Sequence, residues 1–149
     1  MRDIKWRGIS TETNEWVYGS LIVDKKEAFI LNGVIEATDE YIAIEDWRPV
    51  KIETVGQYIG SKDKNGVEIY EKDILETPYE YHGNPLEEGS SGLYRGLVRY
   101  RPSTGFIQTK ALVKDDEEEN WIARKYLGIR STTATVIGNF YQNPELLRL

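Results

Sequence analysis

The chain has 149 residues, 40% of them hydrophobic and 30% charged. This composition predicts a folded chain of one domain, or a barrel with a small extension. It has no cysteine, no apolar run near the roughly 20 residues that span a bilayer and no secretion signal. These absences exclude disulfides, thiol nucleophiles and Cys-based zinc sites, and they predict a cytosolic protein. The formal net charge of −6 opposes broad non-specific binding to nucleic acid but leaves room for a local basic patch.

Apolar and polar residues alternate along the first third of the chain with a period of two, which predicts strands. A segment around Trp6 comes first, then a polar turn at 11–14 and a strand over 16–23 rich in aromatic and β-branched residues. Asn32-Gly33 closes the next apolar run and is a typical hairpin signal. Pro49 is expected to stop pairing after residues 41–44. Residues 1–50 are therefore predicted to form an N-terminal β extension of hairpins.

Residues 54–76, TVGQYIGSKDKNGVEIYEKDILE, combine turn dipeptides with strand-like runs. Asn65-Gly66 predicts a tight reversal, because both residue types tolerate positive φ. Glu71-Lys72-Asp73 predicts a second polar bend before a strand that Pro78 is expected to end.

The second half of the chain is predicted to contain a long loop, a hairpin and two helical segments. Residues 77–92 are rich in Pro and Gly, which favours a loop. Residues 93–101 and 106–113 are expected to pair as a hairpin. The acidic run 115–119 predicts a helix through to Tyr126, followed by a strand at 132–137. Asn143-Pro144-Glu145 predicts a short C-terminal helix.

Three segments, in this order, carry a family resemblance: RDIKWRG, TVGQYIGSKDKNGVEIYEKDIL and TVIGNFYQNPELL. Together they resemble the YopX family of phage and prophage proteins. The resemblance implies a mostly β protein in which residues 51–149 form a small Src-homology-3-like barrel with a short C-terminal helix. It also implies a phage or prophage origin. It implies no activity, because the family has no assigned biochemical function and no catalytic residues to transfer.

One position departs from the family pattern. The family commonly has Gly between the Tyr-Glu pair and the Asp, whereas this chain has Lys72. If the bend needs positive φ, a lysine there costs on the order of 1 kcal/mol. Either the bend differs in this chain or the strain is tolerated.

Four basic side chains fall on the predicted 93–112 hairpin, interleaved with aromatic residues. Phosphate contacts and base stacking by such a set suit single-stranded nucleic acid. The same pattern suits an ordinary hairpin with core aromatics and with arginines that are solvated or paired with acids. The candidate nucleic-acid-binding residues are Arg95, Arg99, Arg101, Lys110, Tyr94 and Tyr100, with Phe106 beside them.

Other patterns are weaker indications of a catalytic or metal-binding site. His82 could form a dyad with Ser90 or Ser91, but no third group has triad spacing. Residues 63–68 resemble part of a calcium loop without its twelve-residue pattern, and the run 115–119 could bind cations or mimic phosphates. A solvated loop or turn explains each pattern with fewer assumptions. No catalytic, cofactor-binding or metal-binding residue is therefore predicted, and no cofactor.

The leading functional hypothesis is a non-catalytic binding or assembly module with a protein partner or with itself as a homo-oligomer. The alternative is nucleic-acid binding through the 93–112 hairpin, and no membrane partner is expected. A third hypothesis is a carboxylate-based enzyme, for which two carboxylates would have to share a pocket. Its candidate residues are Asp63, Glu68, Glu71 and Asp73.

Overall fold

The computed structural model describes residues 3–81, 90–115 and 120–148. The chain divides into two compact units, Met1–Gly60 and Ser61–Leu149. The predicted division at residue 50, and the alternative of one packed unit, stay predictions. Among the helical segments of the described residues, none is long and apolar enough to cross a membrane.

The first unit is an antiparallel sheet built from sequential hairpins, in the order β4-β3-β2-β1-β5. A single 3-10 turn, Ile52–Thr54, connects β4 to β5, and β5 continues into the second unit. The strands are β1 (Trp6–Ile9), β2 (Trp16–Asp24), β3 (Glu27–Ala37), β4 (Ile42–Val50) and β5 (Gly56–Lys62).

One face of this sheet forms the core of the first unit. Ala28, Ile30 and Val50 are its buried centre, and partly buried apolar side chains including Trp6 pack against them. Gly8 lies against Val50 so closely that an added Cβ would stand 2.9 Å from the valine side chain. The strands predicted from the period-two pattern thus form a sheet with one buried face.

The predicted hairpin at Asn32-Gly33 is wrong, because β3 continues to Ala37. Gly33 has φ +71° and precedes a bulge in the β3–β4 register, so it serves the bulge instead of a reversal. The chain reverses after residue 37, where the Thr38 hydroxyl accepts the N–H groups of Glu40 and Tyr41 at 3.2 Å each.

Pairing also continues through Pro49, opposite Phe29, against expectation. β4 is the end strand of the sheet order, where proline's missing N–H is tolerated.

The second unit contains a five-stranded antiparallel sheet in the order β10-β9-β8-β7-β11. The short strand β6 precedes it in sequence. The strands are β6 (Glu68–Tyr70), β7 (Asp73–Tyr81), β8 (Ser90–Arg101), β9 (Gly105–Asp115), β10 (Ile122–Leu127) and β11 (Thr135–Asn139).

The buried Asp63 holds the reversal between β5 and β6. Its carboxylate accepts the N–H groups of Asn65 at 2.8 Å and Val67 at 3.0 Å, and Gly66 supplies the positive φ of 81°. The second carboxylate oxygen accepts the N–H of Val136 on β11 at 2.9 Å. One side chain thus closes the turn predicted at Asn65-Gly66 and ties it to a distant strand.

The bend at residues 71–73 has positive φ at Lys72, one of the two possibilities that the sequence left open. Lys72 has φ +75°, so lysine occupies a conformation in which glycine is usual. Its N–H donates to Val98 at 2.8 Å and its carbonyl accepts the N–H of Phe140 at 2.9 Å. The neighbouring Asp73 carboxylate accepts the N–H of Tyr70 at 2.8 Å. These bonds fix the bend, so the strain is tolerated.

The predicted loop over 77–92 is largely replaced by strands, since β7 reaches Tyr81 and β8 begins at Ser90. Residues 82–89 lie outside the described residues. Pro78 sits inside β7 opposite Leu93. β11 pairs with β7 only up to Glu76, so the missing N–H of Pro78 disrupts no ladder on that side.

The predicted helix over 115–126 is also wrong where the structure describes it. Residues 122–127 form β10, which pairs with β9, and residues 116–119 lie outside the described residues. Sheet pairing overrides the helix-start signal of the acidic run.

Two predicted features are not confirmed. Among the described residues the strands form two sheets, one whose order ends in β4 and β6 and one whose order ends in β10 and β11, and no barrel closes. At the C-terminus only a four-residue 3-10 turn, Pro144–Leu147, is present, with Pro at its start but no side-chain cap from Asn143. The Asn143 amide oxygen instead accepts the N–H of Asn139 at 3.3 Å, which removes the predicted cap.

Asp63 should make the free energy of unfolding depend on pH. Burial raises the pKa of its carboxyl. The N–H groups of Val136, Val67 and Asn65 and the charge of Lys64 lower this pKa by more than burial raises it, so the net pKa is below its ordinary value. The stabilisation is complete above the unfolded pKa of about 4 and is lost as the pH falls through the folded pKa.

We expect Asp63→Asn to destabilise the protein by about 1–3 kcal/mol near neutral pH, because an amide NH₂ would face a backbone N–H. The loss should shrink as urea-unfolding curves are measured toward about pH 3. Asp39→Asn, at an exposed position, is the matched control and should change little. A constant deficit from neutral to acid pH would contradict this assignment.

Lys72→Gly should stabilise the protein by up to about 1 kcal/mol. It relieves the positive-φ strain of about 1–2 kcal/mol, against about 0.5–1 kcal/mol of glycine chain entropy. Lys62→Gly, in β5 without positive φ, should destabilise it. Thermal unfolding compares the two variants, and destabilisation by both would rule out strain at residue 72.

Candidate functional site

The β8–β9 hairpin presents basic residues on one of its faces. Its arms are paired from Gly92 opposite Asp115 to Arg101 opposite Gly105, as the sequence predicts. Because side chains alternate along a strand, Arg99 and Arg101 share a face with Leu97. Arg99 is exposed, whereas Leu97 is buried. The arginines therefore rise from an apolar base.

A groove of about 490 Å³ lies on this part of the second unit. Its base is apolar, its rim carries three cationic side chains, and no carboxylate lines it among the described residues. The lining residues are Leu97, Arg99, Tyr100, Arg101, Pro102, Ile107, Thr109, Lys110 and Phe140.

A bulge in β9 brings Lys110 to the groove. The register shifts opposite Gly96, between the pairs of Arg95 and Leu97, and Lys110 has φ +49°. In a regular strand Lys110 would share a face with the fully buried Gln108. The bulge redirects its side chain, and its ammonium lies 4.8 Å from the ring centroid of Phe140.

Two of the six predicted residues are not in the groove. Arg95 lies opposite Glu76 on β7, its Nε is 2.8 Å from the Glu76 carboxylate, and its guanidinium stacks 4.5 Å from the Trp121 ring. Tyr94 is buried at 8% exposure. The structure therefore brings together Arg99, Arg101, Lys110 and Tyr100. Their binding to nucleic acid stays a prediction.

The sequence interpretation missed Phe140, which closes the groove from outside the hairpin. It follows β11, and its N–H is fixed by the Lys72 carbonyl at 2.9 Å. Tyr141 packs against it edge-on, with 5.9 Å between ring centroids. The available signal was the motif TVIGNFYQNPELL, which singles out this segment without giving its partner in space.

The charge of the hairpin opposes that of the chain. Residues 93–112 contain four basic and no acidic side chains, whereas the chain has a formal charge of −6. Among the described residues, none forms an ion pair with Arg99 or Lys110. The carboxylate of Glu71 is 3.4 Å from the N–H of Tyr100 and reduces the positive potential at that end. The groove remains a cationic site in an acidic protein.

The carboxylates proposed for an enzyme have structural partners. Asp63 and Asp73 are buried and accept backbone N–H groups, and the Glu68 carboxylate accepts the Tyr70 hydroxyl at 3.3 Å. Glu71 contacts the Tyr100 backbone instead. Within the described residues no cluster of His, Asp and Glu could hold a metal ion. His82 and residues 116–119 lie outside the described residues.

A smaller cavity of about 230 Å³ lies in the first unit. It contains both signs of charge, and Arg48 there is 3.1 Å from the Asp46 carboxylate and 3.8 Å from that of Glu12. These two carboxylates balance the charge of Arg48, so the cavity offers less to an ionic ligand than the groove does.

The described strands, arranged in two antiparallel sheets, define a mostly β protein. The model of the family described as YopX protein matches residues 5–148, so the chain belongs to the YopX family, as its three motifs predict. The crystal structure of protein EF1440 from Enterococcus faecalis is similar, with a TM-score of 0.50 and 22% identity over 99% of this chain and 100% of that chain. That likeness shows the fold alone. No curated protein matches this chain.

Gly96 should be required for the packing beneath the groove. A Cβ at this position would lie 2.5 Å from Cβ of Gln108 and 2.7 Å from its Oε1. Gly96→Ala should therefore destabilise the protein by about 1–3 kcal/mol, measured by urea unfolding. Gly128→Ala is the control, because nothing lies within 4 Å of its added Cβ. Equal stability of both variants would contradict this packing.

Proposed function

We propose that this protein is a non-catalytic binding module, encoded by a phage or prophage, and that the groove binds an extended anionic ligand. One observation carries the proposal: Arg99, Arg101 and Lys110 line a single groove, and no carboxylate of the described part of the chain lines it with them. Membership of the YopX family supports the origin. The chain without cysteine supports a location in the cytoplasm of the bacterial host.

The arrangement suits binding better than chemistry. Guanidinium and ammonium groups donate hydrogen bonds to anionic oxygens. Among the described residues, no carboxylate or histidine that could act as a general base lines the groove. The apolar base, with Leu97 and Ile107, excludes water and strengthens the attraction of each cation for an anion.

A second candidate function is self-association through the first unit. Ile22 and Phe29 are cross-strand neighbours on one face, and Phe29 packs edge-on against Trp47 at 5.7 Å between centroids. Ile22 is 48% exposed and Trp47 59% exposed. An exposed apolar sheet face of this kind favours an interface, and a second copy of the chain is the partner we propose. Light scattering of Trp47→Lys against the unchanged protein tests it, and an unchanged mass would remove this candidate.

Binding of inorganic polyphosphate tests the groove with a ligand that has phosphates only. We expect the affinity to fall as salt rises, with a log–log slope of about −2 for three contacts at about 0.7 each, the value for single-stranded polyanions. Arg99→Ala and Lys110→Gly should each weaken binding and flatten the slope. Fluorescence titration measures both quantities.

The matched control for Lys110→Gly is Lys25→Gly. Lys25 also has positive φ, 56°, and it lies in an exposed turn of the first unit, so the two changes remove the same charge and similar strain. Lys25→Gly should leave polyphosphate binding unchanged. Equal weakening by both variants would show that total charge and not the groove drives binding, and would overturn the proposal.

A further inference from the structure

The long β8–β9 hairpin is positive at its tip and is followed at its base by a segment of negative charge. At the tip, Arg101 pairs with Gly105, and this end carries the cations of the groove. At the base, β9 ends at Asp115, and the next four residues, 116–119, are all acidic. The second unit therefore contains a cationic groove and, in its own sequence, an anionic segment of the opposite charge.

The acidic segment matches the groove in spacing as well as in charge. Arg99 and Arg101 are two residues apart on β8, which is about 6.4–6.8 Å along a strand. Alternate residues of an extended peptide have the same spacing, so the carboxylates of Asp116 and Glu118 in an extended segment would meet the two arginines. Guanidinium groups bind carboxylates through two parallel hydrogen bonds, and Lys110 adds a third cation to the groove.

The acidic segment of one copy cannot reach Arg101 of the same copy. Arg101 pairs with Gly105, which is ten positions from Asp115 along β9, or about 32–34 Å. Six residues link Asp115 to Ile122, where β10 begins and pairs with β9. Because both ends of this link are fixed on adjacent strands, it extends at most about three residues beyond them, or roughly 10–11 Å. The acidic segment can therefore occupy the whole groove only in a second copy of the chain.

We propose that the groove binds the acidic segment, residues 116–119, of a second copy of this chain. This inference rests on the proposed function of the groove, and it names the extended anion that the groove takes. Each copy has one groove and one acidic segment, so the contact is heterologous and repeats from copy to copy, which gives rings or filaments. Exposed ion pairs each contribute little, so the association should be weak and should be lost as salt screens the charges.

Two variants of the full chain remove opposite halves of the contact, and every chain in the test carries Trp47→Lys so that the first unit does not contribute. The groove variant adds Arg99→Ala and Arg101→Ala. The segment variant adds Asp116→Asn, Glu117→Gln, Glu118→Gln and Glu119→Gln. In sedimentation at low salt, the chain with both halves intact should grow beyond a dimer as its concentration rises, and each variant alone should stay a monomer. An equimolar mixture of the two variants should form a dimer and nothing larger, because each pair retains one intact groove and one intact segment.

The matched control for the segment variant neutralises four exposed acids of the first unit. It changes the net charge by the same amount and should keep the association. Its substitutions are Asp24→Asn, Glu27→Gln, Asp39→Asn and Glu40→Gln. Loss of association in this control as well would show that total charge drives it, and would overturn the contact between groove and segment.

Inorganic polyphosphate separates this inference from the proposed function. It should disperse the oligomers of the intact chain and bind the segment variant at least as tightly. If polyphosphate binds but the intact chain stays a monomer up to about 1 mM, or the mixed variants do not pair, the acidic segment is not the ligand and the anion-binding groove stands. If neither polyphosphate nor a second copy binds, both proposals fail. Circular dichroism checks that each variant is folded, and Lys110→Gly serves as a second groove variant.

Discussion

The carboxylate of Asp63 is the interaction on which the second unit depends most. A buried charge is tolerated only when hydrogen bonds replace its lost hydration, and here three backbone N–H groups do so. The bond to Val136 joins a local turn to β11, and a backbone bond from Lys64 to Ala134 at 3.0 Å lies beside it. β11 in turn leads to Phe140, so the position of one wall of the groove follows from a carboxylate at a turn.

Two lysines with positive φ show how similar strain serves different ends. Lys72 and Lys110 each occupy a conformation that costs about 1–2 kcal/mol for a residue with a side chain. At Lys72 the backbone hydrogen bonds to Val98 and Phe140 fix the bend. The conformation of the bend therefore does not depend on the lysine side chain. At Lys110 the conformation accompanies a bulge that moves a charge from a buried face to an open groove. Strain that persists where a charge is redirected is typical of functional positions.

Local chemistry was predictable from the sequence, and long-range pairing was not. Asn65-Gly66 forms the expected turn because its requirement, positive φ at Gly66, is a property of two residues. Residues 122–127 form a strand because β9 pairs with them, which no local signal encodes. Pro78 is tolerated inside β7 because β11 pairs with β7 only up to Glu76, and no local signal in the sequence shows where that pairing ends. Closure of a barrel is likewise a property of the whole sheet, and the family resemblance implied a closure that the described strands do not make.

The same distinction decides how much of the site was predictable. Alternation places Arg99 and Arg101 on one face, but it places Arg95 there too, and only the β7–β8 register shows that Glu76 pairs with it. The hairpin contributes +4 to a chain of −6, so the remaining residues carry a formal −10. The net charge of the hairpin is therefore opposite in sign to the net charge of the rest of the chain. Such a distribution opposes binding along the backbone of any nucleic acid and leaves affinity to a ligand that also gains contacts inside the groove.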